Sequence, residues 1–237
     1  RCHRPCQGKR TAVVIGWLHM IKRSLLILGL LTLTACSDVY SWRQKLTVTV
    51  LTPDGPVVAM SVAEVTFRDT DGFWVFPEAR GIRSRISGEA VVLEVAPDRY
   101  LFVMLDGVEK LARKTFKQFP YTYDLGFKQW ARSVKRYRGE DVVPPDAYPQ
   151  MVTFDDINDP MSVRLVDPAN LSEVFGVGYV LEGMTLQNVE EPITTGVVQS
   201  VLMWLGKSPE ATVLPVVNID DFSFAAKLRH GSFIKEM

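Results

Sequence analysis

The stretch LTVTVLTPDGPVVAMSVAEVTF, residues 46–67, has the pattern of a β-strand, a tight turn and a returning strand. Leu46, Val48 and Val50 alternate with other residues, and this period of two places them on one face of a strand. In the TPDG sequence at residues 52–55, proline presets φ and glycine accepts a positive φ, as a tight turn requires. The stretch therefore predicts two neighbouring strands with one apolar face.

Further strand patterns follow at regular spacing. Residues 89–95 and 99–105 form a predicted hairpin around Pro97 and Asp98, after a short apolar run at residues 73–76. Several short strands separated by turn residues are typical of sandwiches and barrels. Residues 46–107 are therefore predicted to form a small β-sandwich or barrel.

The next segment, residues 108–150, is predicted to connect this region to a second one. Between residues 110 and 138 it holds one acidic residue, Asp124, and seven interleaved aromatic residues. Its basic residues are Lys110, Arg113, Lys114, Lys117, Lys128, Arg132, Lys135, Arg136 and Arg138. The proline-rich sequence GEDVVPPDAYP, residues 139–149, is the best candidate for a boundary.

Residues 151–237 are predicted to mix strands and short helices. Strands are expected at residues 151–154 and 179–189, whereas the apolar run 197–205 fits either a helix or a buried strand. The class predicted for the whole chain is mainly β or α+β. The pattern leaves open whether residues 46–107 and this region form one domain or two.

A helix start is expected at Asp167-Pro168, because the carboxylate can cap free backbone amides and proline suits the first helical position. This helix is predicted to end at Gly176, since glycine commonly follows the last helical residue.

An export signal precedes the strand-rich part of the chain. In the sequence MIKRSLLILGLLTLTAC, residues 20–36, two basic residues are followed by about ten apolar ones, too few to span a bilayer. Its last four residues, Leu33-Thr34-Ala35-Cys36, resemble the lipobox of bacterial lipoproteins. The resemblance implies cleavage before Cys36 and attachment of acyl chains to it, so that the lipid anchors the protein to a membrane.

The lipoprotein resemblance sets further expectations. Residues 36–45 would be a lipidated tether, facing the periplasm. Ser37 follows the cysteine and Asp38 comes one position later, which favours the outer over the inner membrane in the family's sorting pattern. Residues 1–19 precede the first methionine and are interpreted as upstream sequence, so the cluster Cys2, His3 and Cys6 is not taken as a metal site.

Composition limits the classes of function. The whole chain has 27 basic and 27 acidic residues, but residues 1–35 hold six of the basic ones and no acidic one, leaving 21 basic against 27 acidic. No cysteine follows Cys36, so packing alone must stabilise the fold. The sequence contains no G-x-S-x-G elbow and no phosphate loop, and Gly176-Val177-Gly178 lacks the third glycine of a dinucleotide fingerprint. We predict no cofactor and no metal.

The basic and aromatic residues of 110–138 are the main candidate for binding. Lysine and arginine can neutralise phosphates, and at a membrane these belong to lipid headgroups. We therefore expect contact with an anionic lipid surface or a protein partner, and no nucleic acid in this compartment. The alternative interpretation is a solvated face whose aromatic residues point into the core.

Two smaller features were weighed as sites. Asp155, Asp156, Asn158 and Asp159 are rich in oxygen ligands, but the glycine of a calcium loop is missing, which favours a turn. His230 has no partner that the sequence places beside it, and we predict a surface histidine.

The favoured hypothesis is a membrane-anchored lipoprotein that acts as a non-enzymatic binding module. The alternatives are a periplasmic hydrolase of cell-wall glycan, for which Asp155 and Asp156 are the available carboxylates, and a purely structural component. The stretch PQMVTFDDINDPMSVRLVDPAN, residues 149–170, resembles uncharacterised proteobacterial hypothetical proteins, and this resemblance implies no activity.

Overall fold

The computed structural model of the protein describes residues 38–70, 81–121, 126–205, 224 and 228–236. The chain forms two compact units, one of residues 1–38 and 70–81 and one of residues 39–69 and 82–237. Nearly all described residues belong to the second unit. That unit is mostly β with a few helices, which confirms the prediction of a mainly β or α+β fold.

A six-stranded antiparallel sheet, sheet 1, forms one layer of the second unit. Its strands are β1 (Val39–Thr52), β2 (Gly55–Asp69), β3 (Ile82–Glu89), β6 (Glu140–Val142), β9 (Val180–Val189) and β10 (Ile234–Lys235). They lie in the order β10-β3-β2-β1-β9-β6. The β1–β2 hairpin predicted from residues 46–67 is confirmed, with Leu46, Val48 and Val50 buried on one face.

A four-stranded antiparallel sheet, sheet 2, forms the second layer. Its strands are β4 (Val91–Ala96), β5 (Arg99–Val103), β7 (Met151–Phe154) and β8 (Val163–Val166), in the order β4-β5-β7-β8. The predicted hairpin around Pro97 and Asp98 joins β4 to β5. Strands from residues 46–107 and from residues 151–237 are hydrogen-bonded in both sheets, so the two predicted regions share one sheet architecture.

The core lies on both faces of sheet 2. In β4, Val91, Leu93 and Val95 belong to the larger apolar cluster, which lies against the inner face of sheet 1. On its other face, Phe102 and Val152 belong to a second cluster that includes residues of the C-terminal helices. The two clusters therefore cover opposite faces of this sheet, although Leu165 on the edge strand β8 stays exposed.

The helices of the described residues are short. They include α1 (Leu111–Thr115), α2 (Gly126–Arg136), α3 (Ser172–Phe175), α4 (Val197–Val201) and α5 (His230–Phe233). Single 3₁₀ turns occupy Val108–Lys110, Pro145–Ala147 and Pro160–Ser162. No described helix has the length and apolarity that crossing a membrane requires.

Two local expectations are corrected. Residues 39–45, predicted as part of a tether, belong to β1, because Tyr40, Trp42 and Gln44 continue its buried alternation. The helix expected after Asp167 begins only at Ser172, and the Asp167 carboxylate caps the N–H of Ala169 in a turn (Oδ1···N 2.9 Å).

The segment left open at residues 197–205 forms a helix over Val197–Val201. Its buried residues are Val198, Leu202 and Leu205. The predicted export signal, Cys36, the apolar run at 73–76 and Asp124 lie outside the described residues.

Candidate functional site

Helix α2 carries the centre of the predicted basic segment and is held by its apolar face. Trp130, Ala131 and Val134 are buried. The Trp130 ring lies edge-on to Trp42 of β1 and Phe67 of β2, with centroids 5.9 and 6.0 Å apart. These contacts pack the helix against the inner face of sheet 1, which determines the face it presents to solvent.

The exposed face of α2 forms a basic strip, which we call the basic helical surface and define as Lys128, Arg132, Lys135 and Arg136. All four are exposed. Their spacing of four, three and one residues places them on one side of a helix with 3.6 residues per turn. At a rise of 1.5 Å per residue, the strip is roughly 12 Å long.

Several other basic residues of the segment are paired with carboxylates. Lys114 lies 3.1 Å from Asp146, and Arg138 lies 3.0 Å from Glu190. Lys128, at one end of the basic helical surface, lies 3.6 Å from Asp69. Exposed pairs of this kind stabilise the fold by less than about 1 kcal/mol, but they reduce the charge available to a ligand.

Most of the remaining basic residues have no carboxylate partner among the described residues. Within the part of the chain that the structure describes, Lys117, Arg132, Lys135 and Arg136 form no ion pair within 4.0 Å. Arg113 instead stacks over the ring of Tyr121, 4.7 Å from its centroid. Lys110 is exposed and lies 4.0 Å from its neighbour Glu109. Among the described residues, positive charge without a carboxylate partner is therefore concentrated on the last two turns of α2.

The aromatic residues of the same segment mostly face inward. Phe116 and Trp130 are buried, and Phe119 and Phe127 pack against the core. Tyr121 is 38% exposed, but its ring lies under Arg113 and contacts Trp130. The aromatic residues therefore support the helices, and the basic helical surface presents mainly charge to solvent.

Tyr137, at the end of α2, stays uncharged in this environment. Burial is the main cause that raises the pKa of its hydroxyl, and the nearby Asp141 carboxylate raises it further. The ring contacts Phe116 and Phe119 edge-on. This tyrosine thus anchors the end of the helix and does not offset the neighbouring positive charge.

The acidic cluster at residues 155–159 forms the β7–β8 turn. Asp156 and Asp159 accept the N–H groups of Asn158 and Met161 at 2.9 and 2.8 Å. Asp155 forms an exposed ion pair with Arg164. Among the described residues, no group of three or more His, Cys, Asp or Glu side chains is arranged to hold a metal ion.

His230 contradicts the prediction of a surface histidine. The residue is 3% exposed, and within the described chain neither ring nitrogen has a hydrogen-bond partner. It begins α5, where the backbone of Phe233 accepts the N–H of Ala90 and that of Ser232 accepts the N–H of Leu105. The prediction failed because these long-range contacts bury the helix against sheet 2.

Glu89 is a polar residue that the sequence did not single out. Its side chain is buried at the end of β3, and its carboxylate accepts the N–H groups of Gly196, Val197 and Val198 at the start of α4. A cavity of about 350 Å³ lies beside it, lined also by Gly88 and Gln199. All three amides already bind the carboxylate, so Glu89 holds two distant segments together. The sequence could not predict this role, because a single glutamate at the end of a strand does not indicate which distant backbone N–H groups it binds.

Comparisons with known proteins return no match: no family model, curated protein or solved structure is similar to this chain.

Proposed function

We propose that the protein is a non-enzymatic binding module of the bacterial cell envelope, anchored through lipidated Cys36 and facing the periplasm. In this proposal the basic helical surface lies against anionic lipid headgroups of the anchoring membrane. The outer membrane is favoured over the inner by Ser37 at the position after the cysteine.

One observation carries the proposal. Arg132, Lys135 and Arg136 share the exposed face of α2, and no described carboxylate pairs with them. Each basic residue near an anionic membrane contributes about 1 kcal/mol of binding. Because the aromatic side chains beneath them are buried, the expected binding is electrostatic and sensitive to salt.

The test uses the mature-length chain, starting at position 36 with Cys36→Ser so that no lipid is attached. Its binding to phosphatidylglycerol-containing vesicles and to phosphatidylcholine vesicles is measured by co-sedimentation at low and high salt. We expect binding to the anionic vesicles at low salt. The triple variant Arg132→Gln/Lys135→Gln/Arg136→Gln should weaken it by roughly 100-fold, since it loses about 3 kcal/mol.

A matched control removes the same charge from the other face of sheet 1. Arg68 and Arg83 are cross-strand partners, Arg85 lies opposite Thr66, and all three arginines are exposed. Phe67 points towards α2, so the next residue, Arg68, points to the opposite face of the sheet. Arg83 and Arg85 share the face of Arg68 and therefore also point away from the helix. The variant Arg68→Gln/Arg83→Gln/Arg85→Gln should retain binding.

Three results would overturn the lipid proposal. The first is no binding of the parent chain to anionic vesicles at low salt. The second is an equal loss in both triple variants, which would indicate an effect of net charge. The third is an in-cell crosslink from Lys135 to a single recurrent acidic protein, abolished by the variant Arg132→Gln/Arg136→Gln, which keeps the crosslinked lysine.

A further inference from the structure

Among the described residues, strand β2 has an unpaired edge along its first half. In its second half, Glu64 to Asp69 pair with β3, and at Val62 the backbone bonds Thr194 on the same side. Because backbone groups alternate between the two edges of a strand, the N–H and C=O groups of Val58 and Met60 point the same way as those of Val62. No described residue bonds them.

The hairpin geometry supports this assignment independently. Thr52 pairs with Gly55 across a two-residue turn, and the β1–β2 register then runs without a shift to Val39 and Arg68. Such a turn is closed by a hydrogen-bonded pair, so the odd-numbered residues of β2 bond β1. The even-numbered residues from Pro56 to Met60 therefore face outward along the edge.

The side chains along this edge are apolar, exposed and uncharged. Val58 and Met60 are 52% and 54% exposed on the outer face of sheet 1. Between Asp54 and Glu64 the sequence contains no charged residue. Natural sheets usually protect an open edge with a charge, a proline or a bulge. Here the one such feature is Pro56 at the start of the edge, and no charged residue or bulge follows it up to Met60. An uncharged edge lets a second strand approach without repulsion.

We propose that this edge pairs with the same edge of a second copy of the chain, in antiparallel orientation about a twofold axis at Val58. In that register Val58 donates to and accepts from its counterpart. The N–H of Met60 donates to the C=O of Pro56 in the second copy, and the symmetry repeats this bond. Sheet 1 becomes continuous across the two chains.

The register follows from which backbone N–H and C=O groups along this edge lack a partner among the described residues. Met60 of one chain lies opposite Pro56 of the other. Proline has no backbone N–H, so this pairing leaves no N–H group of Pro56 without an acceptor. An axis at Met60 would place Val58 opposite Val62, whose backbone already bonds Thr194. The twofold arrangement is self-complementary, as a closed dimer requires. The inference is independent of the basic helical surface.

The test measures self-association of the full-length protein by sedimentation equilibrium in density-matched detergent over a micromolar concentration series. We expect a reversible dimer. Val58→Lys places two ammonium groups opposite each other at the axis and should weaken association at least about tenfold. Val58→Glu should do the same. Differently tagged Val58→Lys and Val58→Glu chains, when mixed, should form a heterodimer.

The control is Thr49→Lys, which adds the same charge on the same face. Thr49 lies opposite Val58 but on β1, whose two neighbours are β2 and β9. This variant should dimerise like the parent chain. A parent chain that stays monomeric, an equal loss in Thr49→Lys, or failure of the folded lysine and glutamate chains to associate would each overturn the proposal. Circular dichroism verifies that the variants fold.

Discussion

The carboxylates of Glu89 and of the β7–β8 loop both accept hydrogen bonds from backbone N–H groups, but the partners of Glu89 are distant in sequence and those of the loop acids are nearby. Glu89 accepts three backbone N–H groups from residues 196–198, more than a hundred positions along the chain. Asp156 and Asp159 each accept the N–H of the residue two positions ahead. Glu89 is buried, whereas the loop acids are exposed.

This difference shows why residue type alone does not identify the acid that matters to the fold. The acidic loop has the conspicuous sequence, but water can replace each of its bonds, so its net contribution is small. Glu89 has an inconspicuous sequence, but its partners include the N–H of the fully buried Val198. A buried donor that loses its acceptor remains unpaired, and the cost is correspondingly larger.

Removal of the buried carboxylate should have the largest effect. Glu89→Ala leaves three N–H groups without an acceptor, and we expect the free energy of unfolding to fall by about 4 kcal/mol. Urea denaturation measures this loss. Glu182→Ala is the control, since Glu182 is exposed on β9 and its side chain forms no hydrogen bond or ion pair with a described residue. A loss below about 1 kcal/mol for Glu89→Ala would contradict the role assigned to it.

A smaller effect should follow when Glu89 is displaced without being removed. Gly88 has φ of +146°, and a Cβ there would lie 2.9 Å from the Cα and Cβ of Ala63. Gly88→Ala should cost about 3 kcal/mol, through strain and overpacking that move β3 away from β2. Thermal and urea unfolding measure it.

Gly55→Ala separates the two causes in that prediction. Gly55 has a similarly positive φ of +123°, but nothing lies within 4 Å of a Cβ there. The free energy of unfolding of Gly55→Ala should therefore fall only by the cost of placing alanine in this backbone conformation. Equal losses in the two variants would show that the close approach to Ala63 contributes nothing.

The exposed loop should show the smallest effect. Asp159→Ala removes the side-chain cap of the 3₁₀ turn Pro160–Ser162 and should cost about 1 kcal/mol. The same measurement with calcium added should give an unchanged unfolding midpoint for the parent chain. A calcium-dependent increase that Asp156→Ala abolishes would show that the loop binds the ion.

Much of the strand pattern could be predicted because it is local. The alternation at Leu46, Val48 and Val50, and the turn residues at 52–55 and at Pro97-Asp98, specify strands and hairpins through neighbouring backbone conformations. The order of strands in the sheets could not be predicted, since β1 pairs with β9 and β3 with β10 across long sequence separations.

The candidate surface shows the same division. Sequence identified all nine basic residues of the 110–138 segment, and helical spacing explains how four of them share a face of α2. It could not predict that Asp69, Asp146 and Glu190 would neutralise three of the nine, because those partners come from other elements. The edge of β2 that no described residue pairs was equally unpredictable, since it depends on where the pairing of β2 with β3 and with Thr194 ends.

The sequence by itself determined the mainly β class, the first hairpins, the charge of the 110–138 segment and the expectation of a lipid anchor at Cys36. Each depends on the composition or spacing of residues close together in the chain. Only the tertiary structure decided that Glu89 binds the start of α4, that His230 is buried, and which charges and strand edges remain free. These properties depend on burial and on partners distant in sequence, and the local pattern carries no information about either.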